Sequence, residues 1–289
     1  MEYDMPLYRP PSEANSLIFQ VTLGCSHNRC AFCIMYRTKK FRVRPWEELK
    51  LDILEMALSY RYIRKIFLAD GDALVINTEY MLKILSFLYD KFPYLERVSA
   101  YANPGNILDK SEEELKKIRE AGLQMLYFGI ETGDDELLKK TRKGADSTQL
   151  VQSAKKAIEA GFLLSATIIL GLGGKKGSSR HAIETAKVCS AINPHYLSAL
   201  TLMIENNNRY FFHCMGKEWE MMDRFEILKE LRTMIENFEL KNCIFRSNHA
   251  SNYLPIKAVL NQDKERLLKE IDWALKNPDL LRPEFLRAL

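Results

Sequence analysis

Three of the six cysteines in this 289-residue chain, Cys25, Cys30 and Cys33, fall on one short stretch with the spacing C-x4-C-x2-C. They follow an apolar run, Leu17 to Leu23, that reads as a buried strand. Three thiolates on one loop can converge on a single metal centre. A closed structural zinc site takes four ligands, often as two C-x2-C pairs, so zinc here would need a residue such as His27 as its fourth. Three ligands on a cubane iron–sulfur cluster instead leave one iron open to an outside ligand, which is a reactive arrangement. Reduced thiols on an ordinary loop are the third reading of the same spacing.

The elements that must carry this loop follow from the rest of the chain. Hydrophobic residues make up 47% and charged residues 28%, enough for a sizeable core in a composition typical of globular proteins. The net charge of +4 permits an anionic partner without requiring one. Met1-Glu2-Tyr3-Asp4 does not begin a basic-then-apolar pattern, so no signal peptide is expected. No run approaches the ~20 apolar residues of a membrane span. A reducing cytoplasm is therefore the expected compartment, where clustered cysteines suggest metal rather than disulfide.

Apolar runs then alternate with helical patterns. Strands are expected at Lys65–Ala69, Arg97–Tyr101, Gln124–Ile130, Phe162–Leu170 and His195–Met203. Between them lie helices at about Trp46–Tyr60, with Pro45 in the first turn, Tyr80–Tyr89, Ser111–Gly122 with a Ser111/Glu114 capping box, Thr148–Ala160 and Ser179–Ala191. The loop Gly171–Ser179 is read as basic and serine-rich. Strands separated by helices predict an α/β fold with a parallel sheet, a partial barrel of six β/α units. Trp219, Met222, Phe225, Leu228, Leu231, Ile235 and Phe238 recur at helical spacing, a short strand is expected at Cys243–Phe245, and a last helix at about Asp263–Leu275. The expected organisation is a core of residues 1–205, with an N-terminal arm, and a C-terminal extension of residues 206–289 that packs on the barrel and closes it.

The cysteine triad after the first strand, with Phe32 before the last cysteine, resembles the radical S-adenosylmethionine (radical SAM) superfamily, although the usual spacing has three residues between the first two cysteines and here there are four. The resemblance covers roughly residues 17–205 and implies the same partial barrel. It also implies that Cys25, Cys30 and Cys33 hold a 4Fe–4S cluster whose open iron binds SAM. The second strand end, Asp70-Gly71-Asp72, resembles the Gly-Gly-Glu segment that meets the SAM amino group, with Asp72 at the Glu position and Asp70 at the first Gly. Glu131, in Gly129-Ile130-Glu131-Thr132-Gly133, resembles the residue that accepts a ribose hydroxyl. Arg142 resembles a basic residue that pairs with the methionine carboxylate, and Gly171 the segment that passes the adenine. An ordinary Asp/Gly turn and a surface arginine are the plain readings of Asp72 and Arg142.

The basic run Arg37–Arg44 reads as a solvated edge or a phosphate contact, and Cys189, Cys214 and Cys243 as small apolar core residues. Arg246, Asn248, His249 and Asn252 sit in a segment dense in hydrogen-bonding side chains, read either as substrate contacts or as a polar cap. The pattern is similar to small, functionally unassigned radical SAM proteins distantly like anaerobic coproporphyrinogen III oxidase. What the resemblance implies is reductive cleavage of SAM to a 5′-deoxyadenosyl radical that abstracts hydrogen from a substrate, with an electron donor such as flavodoxin or ferredoxin. A small-molecule substrate is expected rather than nucleic acid, and no membrane. The alternatives are a cluster-containing haem or metal carrier without radical catalysis, and an RNA-modifying radical SAM enzyme using the basic run.

Overall fold

Apolar runs of four to nine residues become strands wherever charged or turn-forming residues bound them. In the computed structural model, which describes residues 1–204 and 208–288, the strands are β1 (Leu17–Gln20), β2 (Thr22–Leu23), β3 (Arg42–Val43), β4 (Lys65–Ala69), β5 (Arg97–Ala102), β6 (Leu123–Glu131), β7 (Leu163–Leu170), β8 (Tyr196–Thr201), β9 (Cys243–Arg246) and β10 (Lys257–Leu260). The helices are α1 (Trp46–Ser59), α2 (Thr78–Lys91), α3 (Pro104–Asp109), α4 (Glu112–Glu120), α5 (Asp135–Lys140), α6 (Ser147–Glu159), α7 (Gly174–Ile192), α8 (Arg209–Met215), α9 (Arg224–Asn237) and α10 (Lys264–Lys276). The six expected strands and their intervening helices are present, and the expected boundary at residues 205–206 lies outside the described residues.

The chain divides into two units. The first comprises residues 1–28, 33–128 and 152–164. Its strands run in the order β1-β4-β5-β6, all parallel. Ile66, Phe67, Leu68 and Ala69 of β4 are fully buried, as a strand with both faces covered must be. Phe67 meets Tyr101 edge-on at 5.0 Å between ring centroids, and its burial contributes about 1.5–3 kcal/mol. The Ser111/Glu114 capping box opens α4, and Gly122, at φ +112°, follows its end. Pro45 is the residue that precedes α1 rather than its first turn.

The expected first strand is broken. Val21 separates β1, which pairs with β4, from β2, which pairs antiparallel with β3 at Thr22↔Val43 and Leu23↔Arg42. This short ladder closes the base of the cysteine loop. It also absorbs part of the basic run into structure. Arg44 lies 2.7 Å from Asp52, and Arg42 3.3 Å from Glu48.

The second unit comprises residues 29–32, 129–151 and 165–289. It starts from the end of β6, and its order is β6-β7-β8-β9-β10, with β7, β8 and β9 parallel and β10 antiparallel to β9. In β8 and β9 alternate residues, Leu197 and Ala199, Cys243 and Phe245, are buried, and the two strands pair with Leu197 opposite Phe245. The segment read as a basic loop after Gly173 is the first turn of α7. α9 begins at Arg224, capped by an Asp223/Glu226 capping box, so Trp219 and Met222 precede the helix they were expected to share. Trp219 instead donates to the carbonyl of Leu172 at 3.0 Å. Among the described residues, no helix is long and apolar enough to cross a membrane.

Candidate active site

In the first unit, the turn after β4 fastens the cysteine loop. Asp70 is fully buried and takes three donors: the Gln20 side-chain amide, the Gly24 N–H and the Lys39 ammonium, each at 2.9 Å. Gly24 is the residue before Cys25 and Lys39 lies after Cys33, so one carboxylate ties both ends of the loop to the strand. The Gly71 N–H donates to the Gly24 carbonyl at 3.1 Å. A Cβ at Gly71 would sit 2.5 Å from the Tyr36 ring and 3.2 Å from the Cys25 Cβ, so the backbone approaches the first thiol as only glycine allows.

Asp72, also fully buried, accepts from the Ser26 hydroxyl and from the Asn106 amide at 2.6 Å. Burial pushes its carboxyl above the usual carboxylate range, while the hydrogen bonds from Ser26, Asn106 and Asn103 and the charge of His27 pull the other way. Tyr36 is buried against the same turn. Desolvation first, then Tyr101, Asp70, Cys33 and Cys25, push its phenol far up, so its hydroxyl stays a donor. That hydroxyl is buried without a hydrogen-bond partner among the described residues.

In the second unit, the middle of the loop is held separately. The Ala31 N–H donates to the Thr141 carbonyl at 2.7 Å, and the Tyr210 hydroxyl to the Arg29 carbonyl at 3.1 Å, on either side of Cys30. Ala31 packs in a core cluster with Leu137, Leu172, Phe211 and Met215. Glu131 ends β6 with a left-handed backbone, φ +64°. Its carboxylate folds back over Gly129, where a Cβ would collide with Oε1, and pairs with Lys143 at 3.0 Å. Arg142 is exposed, with its guanidinium 5.5 Å from the centre of the Tyr210 ring.

Gly171, at φ +81°, donates its N–H to the buried Glu230 carboxylate at 2.6 Å. The other Glu230 oxygen is buried without a partner among the described residues. His181 of α7, fully buried, donates from Nε2 to the Ile169 carbonyl at 3.0 Å, so Nδ1 accepts from the Thr132 hydroxyl at 2.8 Å. One imidazole thus links the ends of β6 and β7.

The C-terminal segment is the turn between β9 and β10. Asn252 is buried with its amide engaged at both ends, donating to the Ala199 carbonyl at 2.7 Å and accepting from the Thr201 hydroxyl at 2.9 Å. His249 Nδ1 accepts from the Ser251 N–H at 3.1 Å. Burial, and secondarily Arg282, hold its imidazole below the ordinary histidine range. Asn248 is exposed and Arg246 half-buried. Cys189 and Cys243 are buried, and burial pushes the Cys243 thiol up to about 12.

The structure therefore brings Gly71 against Cys25, Asp72 to Ser26 and Glu131 to Lys143. Arg142 is set on an aromatic ring. Among the described residues, no three His, Cys, Asp or Glu side chains are already drawn together as a metal site. The donor set nevertheless fits an iron–sulfur cluster, since three partly buried thiols share a loop with a buried phenol hydroxyl that lacks an acceptor.

Residues 19–186, more than half of the chain, match the family model described as the radical SAM superfamily. The chain belongs to the radical SAM superfamily. Radical SAM enzymes bind a 4Fe–4S cluster and SAM. The chain is 26% identical over 156 residues to the heme chaperone HemW of Bacillus subtilis, a match that covers 54% of this chain and 40% of that protein. It is 23% identical over 188 residues to 4′-phospho-dehydrooxetanocin synthase of Priestia megaterium, covering 56% and 25%. The radical SAM match thus spans well under half the length of these relatives. Among solved structures, coproporphyrinogen III oxidase (HemN) of Escherichia coli aligns with a TM-score of 0.57 at 18% identity, over 76% of this chain and 51% of that one. Methylornithine synthase (PylB) aligns at 0.53 and 16%, over 93% and 83%. These two likenesses show the shared fold of a mostly parallel sheet with helices.

Asp70, Tyr36, Lys143, His181 and Glu230 escaped the sequence reading as site residues. Asp70 was visible only as a departure from the family's first glycine, and Lys143 only as the neighbour of Arg142. Nothing local marks Tyr36 as buried, and the contacts His181–Thr132 and Glu230–Gly171 span 49 and 59 residues.

Proposed function

We propose that the protein is a radical SAM enzyme in which Cys25, Cys30 and Cys33 hold the 4Fe–4S cluster. The observation that carries this reading is the clamped cysteine loop, with a buried Tyr36 hydroxyl beside Cys25 and Cys33 that has no acceptor of its own. When bound, the cluster and SAM supply a 5′-deoxyadenosyl radical that takes a hydrogen atom from a substrate.

The chain's own residues orient these groups. Asp70 holds both ends of the loop at one carboxylate. Gly71 brings backbone close to the first thiol, and Asp72 fastens Ser26 beside it while offering buried negative charge toward the SAM amino group. Glu131, oriented by Lys143, accepts from the ribose. Arg142 supplies a planar fork for the methionine carboxylate. Glu230 holds the Gly171 backbone where the adenine passes, and His181 steadies the strand end before it. Asn252, engaged at both ends of its amide, is assigned to holding its segment, which leaves Arg246, Asn248 and His249 as candidates for substrate contact. A reducing partner of the flavodoxin or ferredoxin type supplies the electron.

Likeness to a heme chaperone supports a second reading, a haem carrier that keeps the cluster without radical turnover. The deciding experiment is anaerobic reconstitution followed by iron, sulfide and SAM-cleavage assays. About four irons and four sulfides per chain, with 5′-deoxyadenosine formed under reduction, is the expected result. Replacing all three cysteines with alanine removes both. Stoichiometric zinc would sink the proposal, and a full cluster with no SAM cleavage would favour the carrier.

A further inference from the structure

A cavity of about 370 Å³ opens within the second unit at the ends of β7 and β8, bounded there by Gly171, Thr201 and Leu202. It lies at the small end of the range of ligand pockets, roughly 300–1,000 Å³. Its apolar wall is Leu202, Met222 and Ile227. Its polar side combines the start of α9 with residues near the C-terminus.

The charges on that side are unequal. Arg287 is nearly buried and already neutralised, 2.5 Å from Glu284 and 2.6 Å from the Tyr253 hydroxyl. Tyr253 donates in turn to Glu284 at 2.7 Å. Asp223 is committed to the cap of α9, accepting from the Phe225 and Glu226 N–H groups. Arg224 differs. It lines the cavity half-buried, lies 5.0 Å from the Phe225 ring centre, and has no carboxylate in salt-bridge range among the described residues.

We propose that this cavity binds a small substrate with one carboxylate on an apolar body, and that Arg224 takes the carboxylate. A guanidinium presents paired donors that match a carboxylate's two oxygens, and half-burial strengthens that pairing. The carboxylates of Asp223 and Glu284 on the same wall disfavour a dianion, so one unpaired cation selects a monoanion. Leu202, Met222 and Ile227 then cover the apolar remainder. That the ligand is a substrate rests on the radical SAM reading. That a carboxylate binds here does not.

The test uses 1-naphthoate and its neutral isostere 1-naphthamide, titrated by calorimetry into anaerobically reconstituted protein. Naphthoate binds one per chain and about tenfold or more tighter than the amide. Arg224→Gln removes that preference and Arg224→Lys keeps part of it. Naphthoate and SAM bind together, with naphthoate still bound one per chain at saturating SAM. Equal binding of acid and amide overturns the proposal, as does a preference that survives Arg224→Gln. Displacement of naphthoate by SAM also overturns it, because the cavity is then part of the cofactor site. If Arg224→Gln does not fold, wild type and Arg224→Lys decide, since a preference undiminished by lysine excludes the bidentate contact. Naphthoate binding in a protein that cleaves no SAM would sink the enzyme reading and leave this site standing.

Discussion

Two strand-end turns in this protein are built from the same materials and end in different states. The Asp70–Asp72 turn and the Ser247–Tyr253 turn both bury polar side chains, and both satisfy them mainly from residues far away in sequence. In the second, each buried group closes on protein: Asn252 on Ala199 and Thr201, Ser251 on the Thr201 N–H, and the chain's carbonyls on Arg282 and Arg287. In the first, the bonds lead instead to the loop that carries the thiols, and one buried hydroxyl, Tyr36, is left without a partner. A buried donor without an acceptor costs about 1–3 kcal/mol. A saturated network holds a fold, and a buried donor left a partner short is a place where an arriving ligand would offset that cost.

The largest effect that bears on this contrast is expected at Asp70. Asp70→Ala leaves the Lys39 ammonium, only 4% exposed, with the half-exposed Asp4 as its remaining carboxylate, and leaves the Gly24 N–H and the Gln20 amide without their acceptor. A buried group left unmatched costs about 1–3 kcal/mol, and here several lose one partner together. Denaturant unfolding should show that loss, together with iron loading well below wild type. Normal iron content with lowered stability would confine Asp70 to the fold and break the contrast.

Next come the two carboxylates assigned to SAM. Asp72→Ala and Glu131→Ala should each weaken SAM binding by roughly 1.5–3 kcal/mol, about ten- to a hundredfold. Equilibrium binding to reconstituted protein checks this, with iron content normal in Glu131→Ala. Unaltered affinity in both variants removes them from the site.

A smaller effect is expected in the saturated turn. Asn252→Ala leaves the Thr201 hydroxyl and the Ala199 carbonyl unmatched, at a cost of about 1–3 kcal/mol in stability. SAM cleavage without substrate should be unchanged. Lost cleavage at unchanged melting temperature would turn this cap into part of the chemistry.

The smallest effect is the pH response of His249. Its folded pKa lies below the ordinary 6.5, because burial and Arg282 disfavour the charged ring. The unfolded chain therefore takes up a proton first as pH falls. Stability from this group is complete above pH 6.5 and is lost as pH drops through that value toward the lower folded pKa. Thermal unfolding of the cysteine-free variant should show a lower midpoint at pH 5 than at pH 7. His249→Asn should flatten part of that slope, and an identical slope would discount the residue.

The strand-and-helix order and the cysteine loop were legible because they depend on local pattern. Buried strands such as Ile66–Ala69 are apolar throughout, the Ser111/Glu114 cap is a four-residue motif, and the thiols lie within one loop. The break at Val21, α8, β10 and the true start of α9 were not read, although the Asp223/Glu226 cap stood in the sequence as plainly as the other.

What only the tertiary structure decided is which charges answer which. Asp70 reaches Gly24 and Lys39 across 46 and 31 residues, Lys143 meets Glu131, and Glu230 supports Gly171 across 59. A residue's type and its near neighbours set strand, helix and cap, because those energies are local. Pairing of buried polar groups is set by where separate strand ends meet. Desolvation makes an unmatched group costly, so the fold as a whole selects the partner.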